Sequence, residues 1–335
     1  METQKNKIAV VILNYNGLKW LEKFLAVTIK HSGNANIYVI DNNSSDKSVN
    51  YIKENFTKVH IIQNDKNYGF CEGYNLGLKN IKSKYFVLLN NDIEVTENWI
   101  EPIIKHMDEN NNVAACQPKI LDYYNKNKFE YAGAAGGFID KNGYPFCRGR
   151  ILQTIEEDKG QYNDNIEIHW ATGACLFIKS KLYLDANGLD KNFFAHMEEI
   201  DLCTRLRNKN YKIMYIHSSQ VYHAGGGTLK KESSKKTFLN FRNNLLFMRK
   251  NLHKKNFRKI FFKRMWLDAI ARLNFIFKLK ISHAWAIKKA YLAFWMFNKK
   301  EYNNLPKSLE NIFCDKNIIW EYYFKKKKTF TKMFK

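Results

Sequence analysis

The segment Phe193-Phe194-Ala195-His196-Met197-Glu198-Glu199-Ile200-Asp201-Leu202-Cys203-Thr204-Arg205 sets three carboxylates within four positions beside aromatic side chains. Crowding of this kind raises the proton affinity of at least one carboxylate, which suits a general base acting on a hydroxyl. On a helix Glu198, Asp201 and Arg205 share a face, so an Asp201–Arg205 ion pair accounts for those two and leaves Glu198 and Glu199 as catalytic candidates. A second group, Asn90-Asn91-Asp92, ends the apolar run YFVLL with one carboxylate and two amides. A hard cation bridging phosphates, Mg²⁺ or Mn²⁺, keeps several waters and takes only one or two protein carboxylates, so Asp92 suffices. His223 stands before Gly225, Gly226 and Gly227, whose bare amides can approach a diphosphate while the imidazole completes the cation's shell. The ring of Tyr15 can stack on a base, and Asp41 and Asn42 can hydrogen-bond a base or ribose.

These residues fall at the ends of regular elements. Five short runs, IAVVIL (8–13), NIYVI (36–40), VHII (59–62), YFVLL (85–89) and VAACQ (113–117), read as strands, and helical spacing fills 18–31, 46–55, 71–82 and 97–109. The alternation predicts βαβ units around a mainly parallel sheet. In such sheets ligands bind at the carboxyl ends of strands, so Tyr15-Asn16, Asp41-Asn42 and Asn90-Asn91-Asp92 should line one crevice. Gly69, Gly73 and Gly77 recur every fourth residue and give one bare helix face for close approach. Tight packing on the sheet is the expectation for Gly77, and ligand contact for Asn67 and Gly69 at the helix entrance. From about 121 to 180 the pattern becomes irregular, with loops and a few strands of a mixed sheet. A helix from Glu198 or Glu199 to about Asn208 and a strand over 211–216 follow.

The dinucleotide fingerprint G-x-G-x-x-G and the phosphate loop G-x-x-x-x-G-K-[ST] are both missing, which removes the common NAD and ATP readings. The chain's 335 residues, 45% hydrophobic, suit one large domain or two and exclude a disordered chain. Lys and Arg total 55 against 32 Asp and Glu; residues 1–229 hold 27 basic and 26 acidic, whereas 230–335 hold 28 and 6. Two regions with different partners are implied. The six cysteines show no C-x-x-C pair, so reduced thiols of a cytoplasmic protein are expected. The first residues lack the length and cleavage site of a secretory signal, and Lys or Arg interrupts every apolar stretch near membrane-spanning length.

Taken together, ILNYNG, VIDNNSSD, NYGFCEGYNLGL, LLNND, TGACLFI, FFAHMEEIDLCTRL and YHAGGGT, spread over about residues 7–228, resemble the family 2 glycosyltransferases of the GT-A fold, within them the bacterial rhamnosyltransferase-like group that builds cell-surface polysaccharide. The resemblance implies an α/β fold with a Rossmann-like, mainly parallel sheet and a smaller mixed sheet over 1–229, followed by a basic helical region over 230–335. It implies that Tyr15, Asn16, Asp41 and Asn42 hold the nucleoside, that Asn67, Gly69 and Asn75 border the donor, and that Asn90, Asn91 and Asp92 stand where an Asp-x-Asp motif binds ribose and metal. Asp92 and His223 would hold Mg²⁺ or Mn²⁺. Two departures are visible. Asn90 replaces the more usual aspartate, and Glu199 replaces the aspartate of the catalytic Glu-Asp pair, so by position Glu199 is the base with one extra methylene of reach. Trp170 and the Thr172-Gly173-Ala174 turn would line the acceptor side. The implied reaction is inverting, metal-assisted transfer from dTDP-rhamnose or a UDP-sugar to a glycan or lipid-linked acceptor.

Segments 238–251, 256–280 and 282–298 mix Phe, Trp, Leu and Ile with Lys and Arg. Such helices suit an anionic membrane surface, here the inner face of the cytoplasmic membrane, or packing on the catalytic domain or a second subunit in a homodimer. The charge alone would also draw nucleic acid, but no helix-turn-helix, zinc-finger or RNA-binding pattern accompanies it. A sugar-nucleotide binder without catalysis is the remaining alternative.

Overall fold

The computed structural model of the chain describes residues 7–225, 233–297 and 314–334. Its first half alternates β1 (Ile8–Asn14), α1 (Leu18–His31), β2 (Asn36–Asp41), α2 (Ser48–Asn55), β3 (His60–Gln63), α3 (Gly69–Leu78), β4 (Tyr85–Asn90), β5 (Ile93–Val95), α4 (Glu101–Glu109) and β6 (Val113–Asp122). The local causes are plain. In α1 the buried residues Trp20, Leu21, Phe24, Leu25 and Thr28 recur at helical spacing. In β4 five consecutive residues are buried, as befits a strand covered on both faces.

Beyond β6 come the short strands β7 (Gly137–Ile139), β8 (Pro145–Cys147), β9 (Arg150–Ile151), β10 (Thr154–Ile155) and β11 (Ile166–Ile168), then β12 (Cys175–Lys179), α5 (Ser180–Asp185), α6 (Glu198–Arg207) and β13 (Lys212–His223). The main sheet runs β11-β13-β6-β12-β4-β1-β2-β3, with β5 also on β13. Strands β3, β2, β1 and β4 are parallel, and β12 is inserted antiparallel between β4 and β6. A second, four-stranded sheet joins β7 to β10 in antiparallel order. Large apolar clusters cover the two faces of the main sheet.

Three features of this topology fix the site. Register pairs Asn14 with Asp41 and Leu13 with Asn90, so β1, β2 and β4 end at one level. Because β12 runs the other way, its start meets the end of β4: Cys175 pairs with Leu89, and the Asn90 N–H donates to the Ala174 carbonyl at 2.9 Å. Finally β13 pairs His223 with Ile93, and the Ala224 N–H donates to the Asp92 carbonyl at 3.0 Å.

The basic C-terminal region forms α7 (Ser234–Asn251), α8 (Lys254–Phe277), α9 (Ile281–Met296), α10 (Ile318–Tyr323) and α11 (Phe330–Phe334). Helix α7, within which the membrane-or-packing segment 238–251 falls, is a packing element: Leu239, Asn243, Leu245, Leu246 and Phe247 are buried in it. Lys250 donates to Asp190 and Asp201 at 2.7 and 2.8 Å, and Asn251 donates to Asp201 at 3.0 Å. Helices α10 and α11 close on the small sheet through Ile318, Tyr322 and Met333 against Phe146 and Ile151. Packing therefore crosses the charge boundary near residue 229. The α8–α9 hairpin differs, since Phe262, Trp266, Ile270, Leu273 and Phe277 on α8 and Ile281, Trp285, Leu292 and Trp295 on α9 are all exposed. No helix of the described residues is long and apolar enough to cross a membrane.

Candidate active site

The three strand tips open into one cavity of about 330 Å³. Tyr15, Asn42, Asn67, Gly69, Asn90, Asn91 and Asp92 line one part of it, and Thr172, Gly173, Ala174, Glu198, Glu199 and His223 line another. Asp92 and Glu199, 107 positions apart in sequence, thus face the same space.

On the side of β2 and α3, Asn42 is buried and donates to the Gly69 carbonyl at 2.8 Å while accepting from Asn64 at 2.7 Å. Asn67 accepts from the Gly69 N–H at 2.9 Å. Gly69 has φ +75, and a Cβ there would meet the Phe194 ring at 2.6 Å. The other two glycines of the bare face pack on β2: a Cβ on Gly73 would meet Asn42 at 2.7 Å, and one on Gly77 would meet Ile40 at 2.2 Å.

Four of the expected contact residues stand outside the cavity wall, each for a structural reason. Asn16 (φ 50) accepts from the Ser45 N–H at 2.8 Å and ties the loop after β1 to the loop after β2. Asp41 is buried, with its carboxylate accepting from Ser44 Oγ, Ser44 N–H and Asn14 at 2.6, 2.8 and 3.1 Å, so it shapes the loop from beneath. Asn75 braces the turn after α5 through the backbone of Leu189 and the hydroxyl of Tyr183.

 The Asn75 amide accepts from the Leu189 N–H at 2.9 Å and the Tyr183 hydroxyl at 2.7 Å, and donates to the Leu189 carbonyl at 2.7 Å. Trp170 is a core residue, 4% exposed, donating from Nε1 to the Phe138 carbonyl at 3.0 Å. A Cβ on Gly137 would enter the Trp170 ring, which leaves no face of that ring for a sugar. Gly226 and Gly227, expected beside a diphosphate, lie outside the described residues; Gly225 is described, with φ 69.

Asp92 and His223 are both buried, and His223 Nε2 lies 3.1 Å from Asp92 Oδ1. Behind the imidazole, Glu130 Oε1 lies 3.4 Å from Nδ1. Burial pulls the His223 imidazolium down, but the charges of Glu130 and Asp92 outweigh it and lift its pKa to about 10. Glu130 moves the other way: burial pushes it up, and His223 brings it below the usual carboxylate range. Once a cation displaces the imidazolium proton, the oxygen of Asp92 and the nitrogen of His223 make a donor pair that fits Mg²⁺ or Mn²⁺, with the remaining positions left to substrate oxygens and water. No group of three or more His, Cys, Asp or Glu side chains suited to a metal occurs among the described residues.

Glu198 and Glu199 open α6, entered through His196 and Met197 at φ 70 and 75. Burial pushes Glu199 up to about 7, against hydrogen bonds from the backbone of the first helical turn. Glu198 is raised further, by burial and then by the charge of Glu199. Burial and their mutual charge thus act on the two carboxylates as a pair and hold at least one of them protonated near neutral pH. Among the described residues, one oxygen of each, and Nε2 of His196, is buried with no hydrogen-bond partner. Asp201 pairs with Arg205 at 2.8 Å, the ion pair read from the spacing.

Sequence reading missed several wall residues: Phe70, Ala132, Phe194, Ala195, His196, Lys235 and Lys236. Phe194 to His196 carried a usable signal, since they directly precede the two glutamates. Lys235, Lys236 and the Glu130 behind His223 carried none, because only the folding of distant segments brings them here.

The family model described as "Glycosyl transferase family 2" matches residues 9–184. The chain belongs to that family. It is 23% identical over 253 residues to the low-salt glycan biosynthesis hexosyltransferase Agl10 of Haloferax volcanii, covering 73% of this chain and 76% of that protein. It is 20% identical over 232 residues to the N-acetylglucosaminyl-diphospho-decaprenol L-rhamnosyltransferase of Mycobacterium tuberculosis, covering 64% and 75%. Among solved structures, the mannosyltransferase PcManGT from Pyrobaculum calidifontis in complex with GDP-Man and Mn²⁺ superposes with a TM-score of 0.52 at 12% identity, over 87% of this chain and 74% of that one. The fold is thus of the GT-A kind, and this family 2 glycosyltransferase is similar to hexosyl- and rhamnosyltransferases.

Proposed function

We propose that this glycosyltransferase moves a hexose, dTDP-rhamnose or a UDP-sugar being the donor, to a hydroxyl of a glycan or lipid-linked acceptor with inversion at the anomeric carbon. The observation that carries the reading is the single cavity in which Asp92 and His223 stand with Glu198 and Glu199. Tyr15, Asn42 and Asn67 border the nucleoside, and Asn90 and Asn91 the ribose. Asp92 and His223 would hold Mg²⁺ or Mn²⁺, which supplies positive charge against the diphosphate leaving group. Glu199, the base by its place in the resembled Glu-Asp pair, accepts the proton of the attacking hydroxyl, while Glu198, raised by burial and by the charge of Glu199, can donate a hydrogen bond. Thr172, Gly173 and Ala174 border the acceptor. The name of the Mycobacterium relative, N-acetylglucosaminyl-diphospho-decaprenol L-rhamnosyltransferase, supports a lipid-linked acceptor.

The exposed face of the α8–α9 hairpin supports attachment to the inner face of the cytoplasmic membrane. Its apolar residues on α8 follow helical spacing, and residues 254–297 hold eleven Lys and Arg against one acid, Asp268. Asp268 is buried, so the face is wholly cationic. That charge repels a second copy and attracts anionic lipid.

A panel of dTDP-, UDP- and GDP-sugars, each tested for thermal stabilisation with and without Mn²⁺, tests the donor site. A donor that raises the melting temperature only when Mn²⁺ is present in the wild type, and not in Asp92→Asn, supports the reading; stabilisation identical in both proteins rejects the metal assignment. Co-sedimentation with phosphatidylglycerol vesicles but not phosphatidylcholine vesicles tests the membrane face, and a dimer that ignores both lipids assigns the face to a second copy instead.

A further inference from the structure

The stretch that delivers Glu198 and Glu199 to the cavity is strained. Phe194, His196 and Met197 have φ of 65, 70 and 75, three non-glycine residues of positive φ within four positions, with Phe194 at the centre of a γ-turn that the Ala195 N–H closes on the Phe193 carbonyl at 2.8 Å. At ~1–2 kcal/mol each, this conformation persists only if its surroundings hold it. The carbonyl groups of the stretch show what does so. Arg242 donates to the carbonyls of Asn192 and Phe193 at 2.9 and 3.0 Å. The Asn243 amide nitrogen donates to those of Phe193, Ala195 and His196 at 2.9, 2.8 and 2.7 Å. Phe194 accepts from the N–H groups of Phe70 and Cys71 at 3.1 and 3.3 Å, and Met197 from Asp201 at 2.9 Å. The strained turn is thus clamped between the start of α3, which borders the donor side, and α7.

We propose that Asn243 is a positioning residue of the transfer reaction, holding the turn 193–197 so that Glu199 points into the cavity. The proposal rests on the reading of Glu199 as the base. Asn243 is fully buried, and its own oxygen accepts from Arg242 at 2.8 Å, so the amide cannot flip without placing oxygen against three carbonyls. No other uncharged side chain of this length offers two N–H hydrogens from one nitrogen. Helix α7, whose composition suits a membrane surface, packing on the catalytic domain or a second subunit, therefore serves the catalytic segment some 50 residues earlier.

The test compares wild type with Asn243→Asp, which keeps the shape and removes the donors. Three readouts apply: amide hydrogen exchange across residues 193–200, kcat and KM for the donor, and affinity for UDP with Mn²⁺. The expected result is exchange at least ~10-fold faster in 193–200 alone, with β1, β2 and β4 unchanged. Alongside it, kcat falls ~100-fold, as for a catalytic group displaced by about 1 Å, while UDP–Mn²⁺ affinity stays within about twofold. Wild-type exchange and kcat in the folded variant overturn the proposal. If Asn243→Asp does not fold, Asn243→Ser, smaller and uncharged, takes its place; failure of both to fold assigns Asn243 to the stability of the whole chain and overturns the local role. Absence of transfer by the wild type with every donor rejects the proposed reaction, whereas the exchange measurement still decides whether Asn243 holds the turn.

Discussion

Replacing Glu199 by glutamine should abolish transfer and at the same time stabilise the protein, and the two effects together test the assignment of the base. The carboxylate sits at about 7 in the folded chain against an ordinary 4.5, because burial disfavours its charge. At ~1.4 kcal/mol per pH unit, that gap means that the ionised group costs the native state about 3 kcal/mol, and about 2 after allowance for its partial opening to the cavity. The sign follows from proton counting. Between pH 4.5 and 7 the unfolded chain has lost this proton and the folded chain has kept it, so wild-type stability from this group falls as pH rises through that window and is level above it. Glutamine never ionises. Glu199→Gln should therefore unfold at the same denaturant concentration as wild type below pH 4.5, and be more stable by about 2–3 kcal/mol at pH 8. Its kcat, followed by release of the nucleoside diphosphate, should drop ~10²–10⁴-fold. In the wild type, kcat/KM should rise about tenfold per pH unit up to about 7 and then level off. A glutamine variant that keeps a tenth of the wild-type rate, or that is less stable than wild type at pH 8, refutes the reasoning.

Two further substitutions address the scaffold. Gly77→Ala gains helix propensity but drives a Cβ to 2.2 Å from the buried Ile40 on β2, so a net loss of ~1–2 kcal/mol in urea unfolding is expected, and a gain would show that the α3–sheet contact is loose. Lys250→Met takes the ammonium away from Asp190 and Asp201, both within 2.8 Å of it, and leaves the buried Asp201 to Arg205 and Asn251, at an expected loss of ~3 kcal/mol at pH 7. Burial pushes Asp201 up, but Lys250 and Arg205 bring it below its ordinary 3.8, so its contribution is present above that pH and lost as pH falls through the folded value. The gap between wild type and Lys250→Met should accordingly narrow in acid, and a gap that stays constant to pH 3 would mean that packing, not charge, is what Lys250 contributes.

The sequence alone determined many of the regular elements and many of the residue types that line the cavity. The strand expected over 8–13 is β1 at Ile8–Asn14, the helix over 18–31 is α1, and the helix from Glu198 is α6, because hydrophobic periodicity and chain punctuation are local. The same holds for Asn42, Asn67, Asn90 and Asp92, which follow strand ends or precede a helix and so face the crevice that parallel strands create. Tertiary structure decided what depends on distant partners. Asp41 and Asn16 have the composition of ligand contacts, yet Ser44 and Ser45 occupy their oxygens; Trp170 has the ring of a sugar platform, yet it fills the gap above Gly137. The antiparallel entry of β12 beside β4 and the long run of β13 to His223 bring the Thr172 turn and the imidazole to Asp92, and α7 supplies Asn243 to a turn that its own residues would leave strained. A carboxylate's neighbours across 50 or 100 residues leave no mark on the pattern around it, which is why the residue types could be read in one dimension and their aim could not.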